Sequence, residues 1–160
     1  MIPFRAGRID AKSPVVEGFL PLPEQSTTTH TQQFARMGFS RDEMISLVVC
    51  GHTIGGVHRV NSPQITSANH AGFDSTRTNF DNLVAKEYVN GSTVNPLGQP
   101  VNNNNLATSS DSRLFSSDGN VTLNRYAASQ DAFFTDCDTV FSRMLNDGQP
   151  CSNLQWPLRA

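Results

Sequence analysis

The chain has 160 residues, of which 37% are hydrophobic, and its formal net charge is −2. This length fits one domain or a large part of one, and the charge gives no reason to expect nucleic acid or an anionic membrane as a partner. No apolar run is long enough to span a membrane, and residues 1–8 lack the apolar core of a signal peptide.

Two helices are predicted after an irregular, proline-containing segment at residues 1–23. The first covers residues 27–37. The second has a clear start, because Ser40 followed three residues later by Glu43 forms a capping box. Gly55-Gly56 is the predicted stop of this second helix.

One histidine lies on the apolar face of the second helix. Ile45, Val48 and Val49 precede His52 by seven, four and three residues, so the four side chains share one face. A histidine among aliphatic residues is most often a hydrogen-bonded core residue. The same placement suits a metal ligand, and spacing alone leaves both interpretations open.

A polar loop with two carboxylates follows. Residues 73–82 contain Asp74 and Asp81 among several hydroxyl groups, and this composition suits a hard cation that prefers oxygen ligands. Aspartates in such a loop are also common turn and cap residues. The loop runs into a predicted helix at about residues 80–89, and residues 91–108 are predicted to be loop.

The C-terminal third contains a serine-aspartate pair and a long helix. Ser110 and Asp111 are good caps, so residues 110–118 can simply begin a helix. Ser129 can cap the last helix, and an apolar stripe at helical spacing predicts that this helix contributes to the core. The stripe consists of Phe133, Phe134, Cys137, Val140, Phe141, Met144 and Leu145. The predicted class is all-α, with little or no strand and a tail at residues 146–160.

Three cysteines leave the disulfide pairing open. Cys50 is predicted to be a small buried hydrophobe in the middle of a helix, whereas Cys137 and Cys151 could form a bridge near the C-terminus. Asn90 and Asn120 each begin a glycosylation acceptor triplet. Together these features favour an oxidising compartment.

Three segments, in order, resemble the plant-type haem peroxidase superfamily, which includes cytochrome c, ascorbate and secreted fungal peroxidases. They are residues 42–55 with the run Gly-His-Thr-Ile-Gly, residues 73–82, and residues 110–118. The resemblance covers nearly the whole chain but only the C-terminal, proximal half of the family domain. Residues 1–160 are therefore predicted to be a partial haem peroxidase domain.

The resemblance implies a haem b site. His52 would be the axial ligand of the iron, and Asp111 would accept a hydrogen bond from its imidazole, which orients the ring and makes it more basic. Phe73 would pack beside the imidazole, where cytochrome c peroxidase has a tryptophan, which argues against a tryptophan-radical route. His58 would approach a haem propionate; the alternative is a solvent-facing residue past the helix end.

The resemblance also implies the proximal calcium site of secreted fungal peroxidases. Its ligands would be Thr53, Asp74, Thr76, Asp81 and the main-chain carbonyl of Asn79. Arg77 departs from the family pattern, because proline is common there.

In the implied reaction, hydrogen peroxide oxidises ferric haem to a ferryl species, and a small or macromolecular electron donor reduces it, in response to oxidative stress. The family also needs a distal arginine followed closely by Phe-His, and this sequence contains no such pattern. His30 and His70 have no adjacent arginine. We therefore predict that the chain lacks the distal half and is inactive alone. Its predicted partner is the missing N-terminal half.

Two alternatives belong to other functional classes. One is a non-catalytic calcium-binding or haem-binding remnant whose helices pack on a partner, and the other is a plain helical module. For the full-length family member the resemblance implies secretion, although the start of this chain shows no signal peptide.

Overall fold

The structure, a computed structural model, describes residues 7–14, 16–63, 67–90 and 106–147, and within them it is mainly helical. The helices are α1 Thr27–Arg36, α2 Arg41–His52, α3 Leu83–Val89, α4 Leu106–Phe115, α5 Val121–Ala128 and α6 Gln130–Asn146. Two three-residue strands, β1 Gly56–His58 and β2 His70–Gly72, pair antiparallel. The all-α prediction is confirmed. No helix of the described ranges is long and apolar enough to cross a membrane.

Serine caps start three of the helices. The side chains of Ser26, Ser40 and Ser129 each accept a hydrogen bond from the backbone N–H three residues later, at the starts of α1, α2 and α6. At α2 the carboxylate of Glu43 also accepts from the Ser40 N–H, which completes the predicted capping box. These starts follow from local hydrogen bonding alone.

The end of α2 differs from the prediction. The helix ends at His52 itself, and Gly56, which was expected to be part of the stop, is the first residue of β1. A Cβ atom at Gly56 would overlap the carbonyl oxygen of Ala71 on the neighbouring strand. Glycine is therefore required at this position because the two strands pair closely there. The signals that predict where a helix ends do not reveal this strand pairing.

Two later boundaries also differ. α3 begins at Leu83, because Asp81 Oδ1 accepts a hydrogen bond from the Leu83 N–H, 2.8 Å away, and holds the preceding residues in the loop. α4 begins at Leu106, so residues 106–108 are helical and the loop predicted there is wrong. Asp111 consequently lies inside α4 and does not cap it. The remainder of the predicted loop, residues 91–105, and the tail from residue 148 lie outside the described residues.

The core lies where α2 packs on α6 and α3 packs on α5. Its fully buried members include Met44, Ile45, Val49, Phe115, Leu123, Tyr126 and Phe133. The predicted stripe of α6 is only partly correct. Phe133, Cys137 and Val140 are buried, but Phe134, Met144 and Leu145 are exposed. Phe134 and Leu145 lie off the helix face that the buried residues share. Met144 lies on that face, but beyond the last turn of the helix that is buried.

The disulfide differs from the predicted pairing. Cys50 on α2 and Cys137 on α6 are bonded, with their Cα atoms 5.7 Å apart and a sequence separation of 87. The predicted Cys137–Cys151 bridge is therefore wrong, and Cys50 is not a free thiol. Cys151 lies outside the described residues. The pairing depends on the packing of α2 against α6, which brings two distant cysteines to bonding distance.

Candidate functional site

His52 is the last residue of α2, and it lines a cavity of about 250 Å³. The cavity walls are mainly apolar and come from three parts of the chain. They comprise Pro21, Leu22, Pro23, His30, Phe34, Val48, Ser110, Asp111 and Leu114. Val48 lines the cavity with His52, as the helical spacing predicts, while Ile45 and Val49 are fully buried.

The imidazole of His52 faces the carboxylate of Asp111. His52 Nδ1 lies 3.7 Å from Asp111 Oδ2, which is beyond hydrogen-bond distance. Nδ1 is also buried and has no hydrogen-bond partner in the described part of the chain. Burial raises the pKa of Asp111, whereas the neighbouring His52 and His30 lower it. The two groups are close, and a movement of about 1 Å would bring them to hydrogen-bond distance.

The ring of Phe73 is stacked on the imidazole of His52. The ring centroids are 4.0 Å apart and the planes differ by 11°. The Phe73 N–H donates to the carbonyl of Gly55, which ties this residue to the turn after α2. Phe73 therefore packs directly beside His52, and the stack restricts the orientation of the imidazole.

A second histidine, His30 on α1, lies in the same cavity and was not predicted to be there. It is 7% exposed, and its Nε2 donates to the carbonyl of Leu22 at 2.8 Å. This bond holds the segment from Pro21 to Pro23 as a wall of the cavity. The sequence signal that could have located His30 inside is the aromatic Phe34, four residues later on the same helix face, which is also buried.

Four of the predicted calcium ligands come together through hydrogen bonds. Thr53 Oγ1 donates to the main-chain oxygen of Asp81 at 2.6 Å, and Thr76 Oγ1 donates to Asp81 Oδ2 at 3.1 Å. The Thr76 N–H donates to Asp74 Oδ1 at 2.9 Å. Asn79 belongs to the same loop, because its N–H donates to the Thr76 carbonyl.

The carboxylate of Asp74 is the most unusual group in this loop. Asp74 is 4% exposed, and its Oδ2 atom is buried without a hydrogen-bond partner in the described ranges. Burial, together with the charges of Asp81 and Glu87, raises the pKa of Asp74 to about 6. The hydrogen bond from Thr76 lowers the pKa but does not cancel this rise. A buried carboxylate oxygen without a donor suits a cation. No described group of three or more His, Cys, Asp and Glu residues could hold a metal ion, so hydroxyl and carbonyl oxygens would have to complete this site.

His58 lies in a second cleft, apart from the cavity beside His52. It is paired across the hairpin with His70, and their ring centroids are 4.5 Å apart. Arg77 Nη1 donates to His70 Nδ1 at 2.8 Å. This arginine neighbours His70 in space but is seven residues away in sequence, so adjacent residues in the sequence do not show the pair.

A sequence profile of the peroxidase family matches residues 1–130. The chain belongs to the peroxidase family. It is 37% identical to a WSC domain-containing protein of Arthroderma benhamiae, over 99% of this chain and 22% of that protein. It is 32% identical to the cytosolic L-ascorbate peroxidase 2 of Arabidopsis thaliana, over 84% of this chain and 48% of the relative.

A mitochondrial cytochrome c peroxidase of Yarrowia lipolytica is 31% identical, over 92% of this chain and 45% of the relative. The chain thus spans less than half the length of each of these three relatives.

The peroxidase family implies haem, and the cavity beside His52 suits it. Its walls are mainly apolar, and His52 presents a buried Nδ1 to a carboxylate, an arrangement typical of metal-binding histidines.

Proposed function

We propose that this chain forms the proximal side of a haem peroxidase, with His52 as the protein ligand of the iron. The proximity of the buried His52 Nδ1 to the carboxylate of Asp111 is the observation that carries the proposal. A proton on Nδ1, directed at the carboxylate, leaves Nε2 as the nitrogen with a free electron pair for the metal. Asp111 is the acidic group nearest to this buried nitrogen, so it favours the tautomer that leaves Nε2 for a ligand.

The other residues of the cavity would prepare His52 for this role. Bound haem would supply a redox-active iron at which hydrogen peroxide accepts electrons from a donor. Asp111 would accept the Nδ1 proton in a hydrogen bond, which fixes the tautomer and increases the basicity of the imidazole. Phe73 would restrict rotation of the ring, and the proline segment held by His30 would exclude water from the proximal side.

Cleavage of the peroxide bond needs two further groups, a base that moves a proton and a cation that stabilises the developing charge. The described residues that line the cavity beside His52 include no arginine, and His30 donates to Leu22. We propose that a polypeptide outside this chain supplies both groups. The isolated chain should then turn over peroxide at the rate of a haem and imidazole mixture, and addition of the N-terminal half of a related peroxidase should raise that rate.

The test of His52 is reconstitution with haemin. The wild-type chain should give a Soret band of a histidine-ligated haem, and His52→Gly should lose it and recover it when imidazole is added to the buffer. His30→Ala is the matched control, because His30 lies in the same cavity but donates to Leu22. The assignment fails if the spectrum of His52→Gly equals that of the wild type, with or without imidazole.

Calcium is the second ligand that we propose, bound by Thr53, Asp74, Thr76, Asp81 and the carbonyl of Asn79. The buried, unpartnered Oδ2 of Asp74 supports this site. The same observation favours the alternative function, a non-catalytic calcium-binding remnant that packs on a partner. A chain that is stabilised by calcium but gives no His52-dependent Soret band would identify the remnant.

We also propose that the chain works in an oxidising, extracellular compartment. The bond between Cys50 and Cys137 supports this location, because structural disulfides persist in secreted proteins and are rare in reducing compartments. Thiol titration of the protein under denaturing conditions should detect one free thiol among its three cysteines. Three free thiols would contradict the proposed location.

A further inference from the structure

The two glycosylation acceptor triplets of the sequence lie in different structural surroundings. The first begins at Asn90, the residue directly after α3, and the second begins at Asn120, the residue directly before α5. An N-linked glycan is bulky and solubilising, so the asparagine that carries one has to lie at the surface of the folded protein. The exposure of each asparagine therefore distinguishes the two triplets.

Asn90 lies at the surface and has an ordinary helix-end backbone. Its N–H donates to the carbonyl of Lys86 at 3.0 Å, so the main chain is still held by the last turn of α3. Asn90 itself is exposed, and so are Lys86 and Val89 on the same turn. A substituent on Asn90 Nδ2 can therefore extend into solvent without displacing a core residue.

Asn120 lies in a closed turn. Its φ of 62° is left-handed, as is the φ of 75° at the preceding Gly119. The Oδ1 atom of Asn120 is buried, without a hydrogen-bond partner in the described ranges. Nδ2 is bonded to the same carbon as Oδ1, so a sugar on Nδ2 would have to start beside a buried atom. This side chain has little room for a glycan.

The hydroxyl residue of the second triplet is enclosed as well. Thr122 is 5% exposed and lies in the first turn of α5, next to the fully buried Leu123. Asp118 fixes this turn, because its carboxylate accepts hydrogen bonds from the N–H groups of Val121 at 3.1 Å and Thr122 at 2.9 Å. A glycan added at Asn120 before folding would oppose the closure of the turn.

We propose that Asn90 carries an N-linked glycan and that Asn120 does not. In the reaction, Asn90 Nδ2 forms a bond to the anomeric carbon of an oligosaccharide. The bond between that carbon and a lipid diphosphate breaks, and the lipid diphosphate and one amide proton are released. This modification rests on the proposed extracellular location, because export through a glycosylating compartment supplies the lipid-linked sugar donor.

The test is secretion of the full chain from a eukaryotic host behind a cleavable leader, with both the secreted and the retained protein collected. An amidase that releases N-linked glycans should lower the mass of the wild type in one step and convert Asn90, but not Asn120, to aspartate in the peptide map. Asn90→Gln should lack the glycan. Ser92→Ala should also lack it, because it removes the hydroxyl of the acceptor triplet and leaves Asn90 in place.

Asn120→Gln is the matched control and should keep the full mass shift of the wild type. A glycan on Asn120 of the secreted protein, or an unmodified Asn90 in both fractions, would overturn the proposal. The leader imposes the export route, so this result does not depend on where the chain is found naturally. Thiol titration tests that location separately, and the failure of one proposal can be told from the failure of the other.

Discussion

The hydroxyl groups of Ser46 and Tyr126 lie 2.6 Å apart inside the protein and join α2 to α5. Tyr126 also donates to Asp136 Oδ2 on α6 at 2.8 Å, and Asp136 forms an ion pair with Arg125. Burial is the main cause that raises the pKa of Tyr126 well above its usual range. The helix that carries His52 is therefore fixed by a polar connection as well as by apolar packing.

Removal of the Tyr126 hydroxyl should destabilise the fold. Tyr126→Phe removes the hydrogen bonds to Ser46 and Asp136, which keep only Asp42 and Arg125 as partners among the described residues. We expect a loss of about 1–3 kcal/mol in the free energy of unfolding, measured with urea. Tyr88→Phe is the matched control, because its hydroxyl is 3.4 Å from the Ser112 oxygen atoms and close to the limit of a hydrogen bond. Equal losses in the two variants would contradict the connection described here.

Reduction of the disulfide should lower the stability of the whole chain. The bond between Cys50 and Cys137 closes a loop of 87 residues, and such a crosslink stabilises by about 2–5 kcal/mol. Cys137→Ser should lower the melting temperature and make it insensitive to reductant. Cys151→Ser should behave like the wild type. A wild-type response in Cys137→Ser, or loss of the reductant effect in Cys151→Ser, would show that a different pair is bonded.

Replacement of Asp111 should weaken haem binding without removing it. Asp111→Asn keeps the shape of the side chain but loses the negative charge that faces His52, so the imidazole becomes less basic and the ferric state less stable. We expect an affinity for haemin lower by about tenfold and a higher reduction potential of the bound haem, measured by spectroelectrochemistry. Ser112→Ala, at the next position of α4, is the control. An unchanged potential in Asp111→Asn would show that the carboxylate does not act on the ligand.

Calcium should raise the melting temperature through Asp74. At about 100 times the dissociation constant, a ligand that binds only the native state stabilises it by about 2.7 kcal/mol. Asp74→Ala should abolish this gain, whereas Asp131→Asn, an exposed residue in the first turn of α6, should retain it. Magnesium should have less effect, because it needs shorter bonds and stricter geometry. A gain of equal size in Asp74→Ala would exclude the site.

The pH dependence of the metal-free chain should report Asp74 as well. Its pKa is about 6 in the folded state and near 3.8 in an unfolded chain, so the native state binds more protons between these values. This contribution to stability is full below about pH 4 and is lost as the pH rises through 6, a change of about 2–3 kcal/mol at most. Asp74→Asn should reduce the difference between the free energies of unfolding at pH 4 and pH 7, measured with urea. The prediction is wrong if both proteins show the same difference.

The sequence by itself determined the features that depend on neighbours along the chain. The capping box at Ser40 and Glu43 and the four-residue spacing between Val48 and His52 act within two turns of helix, so the start of α2 and the placement of Val48 beside His52 could be predicted. The family resemblance located Phe73, Asp74 and the rest of the polar loop in the same way, from short runs of residues.

Tertiary structure decided which distant residues meet. The pairing of β1 with β2 joins His58 to His70 and brings Arg77 beside them, the packing of α2 on α6 selects Cys137 as the partner of Cys50, and α1 carries His30 into the cavity of His52. The helix contacts depend on the burial of apolar faces between whole elements, and the histidine pair depends on strand pairing across an intervening loop. No local pattern in the sequence encodes either arrangement. The local signals therefore pointed to His52 as the candidate ligand, and the packing of helices and strands determined what surrounds it.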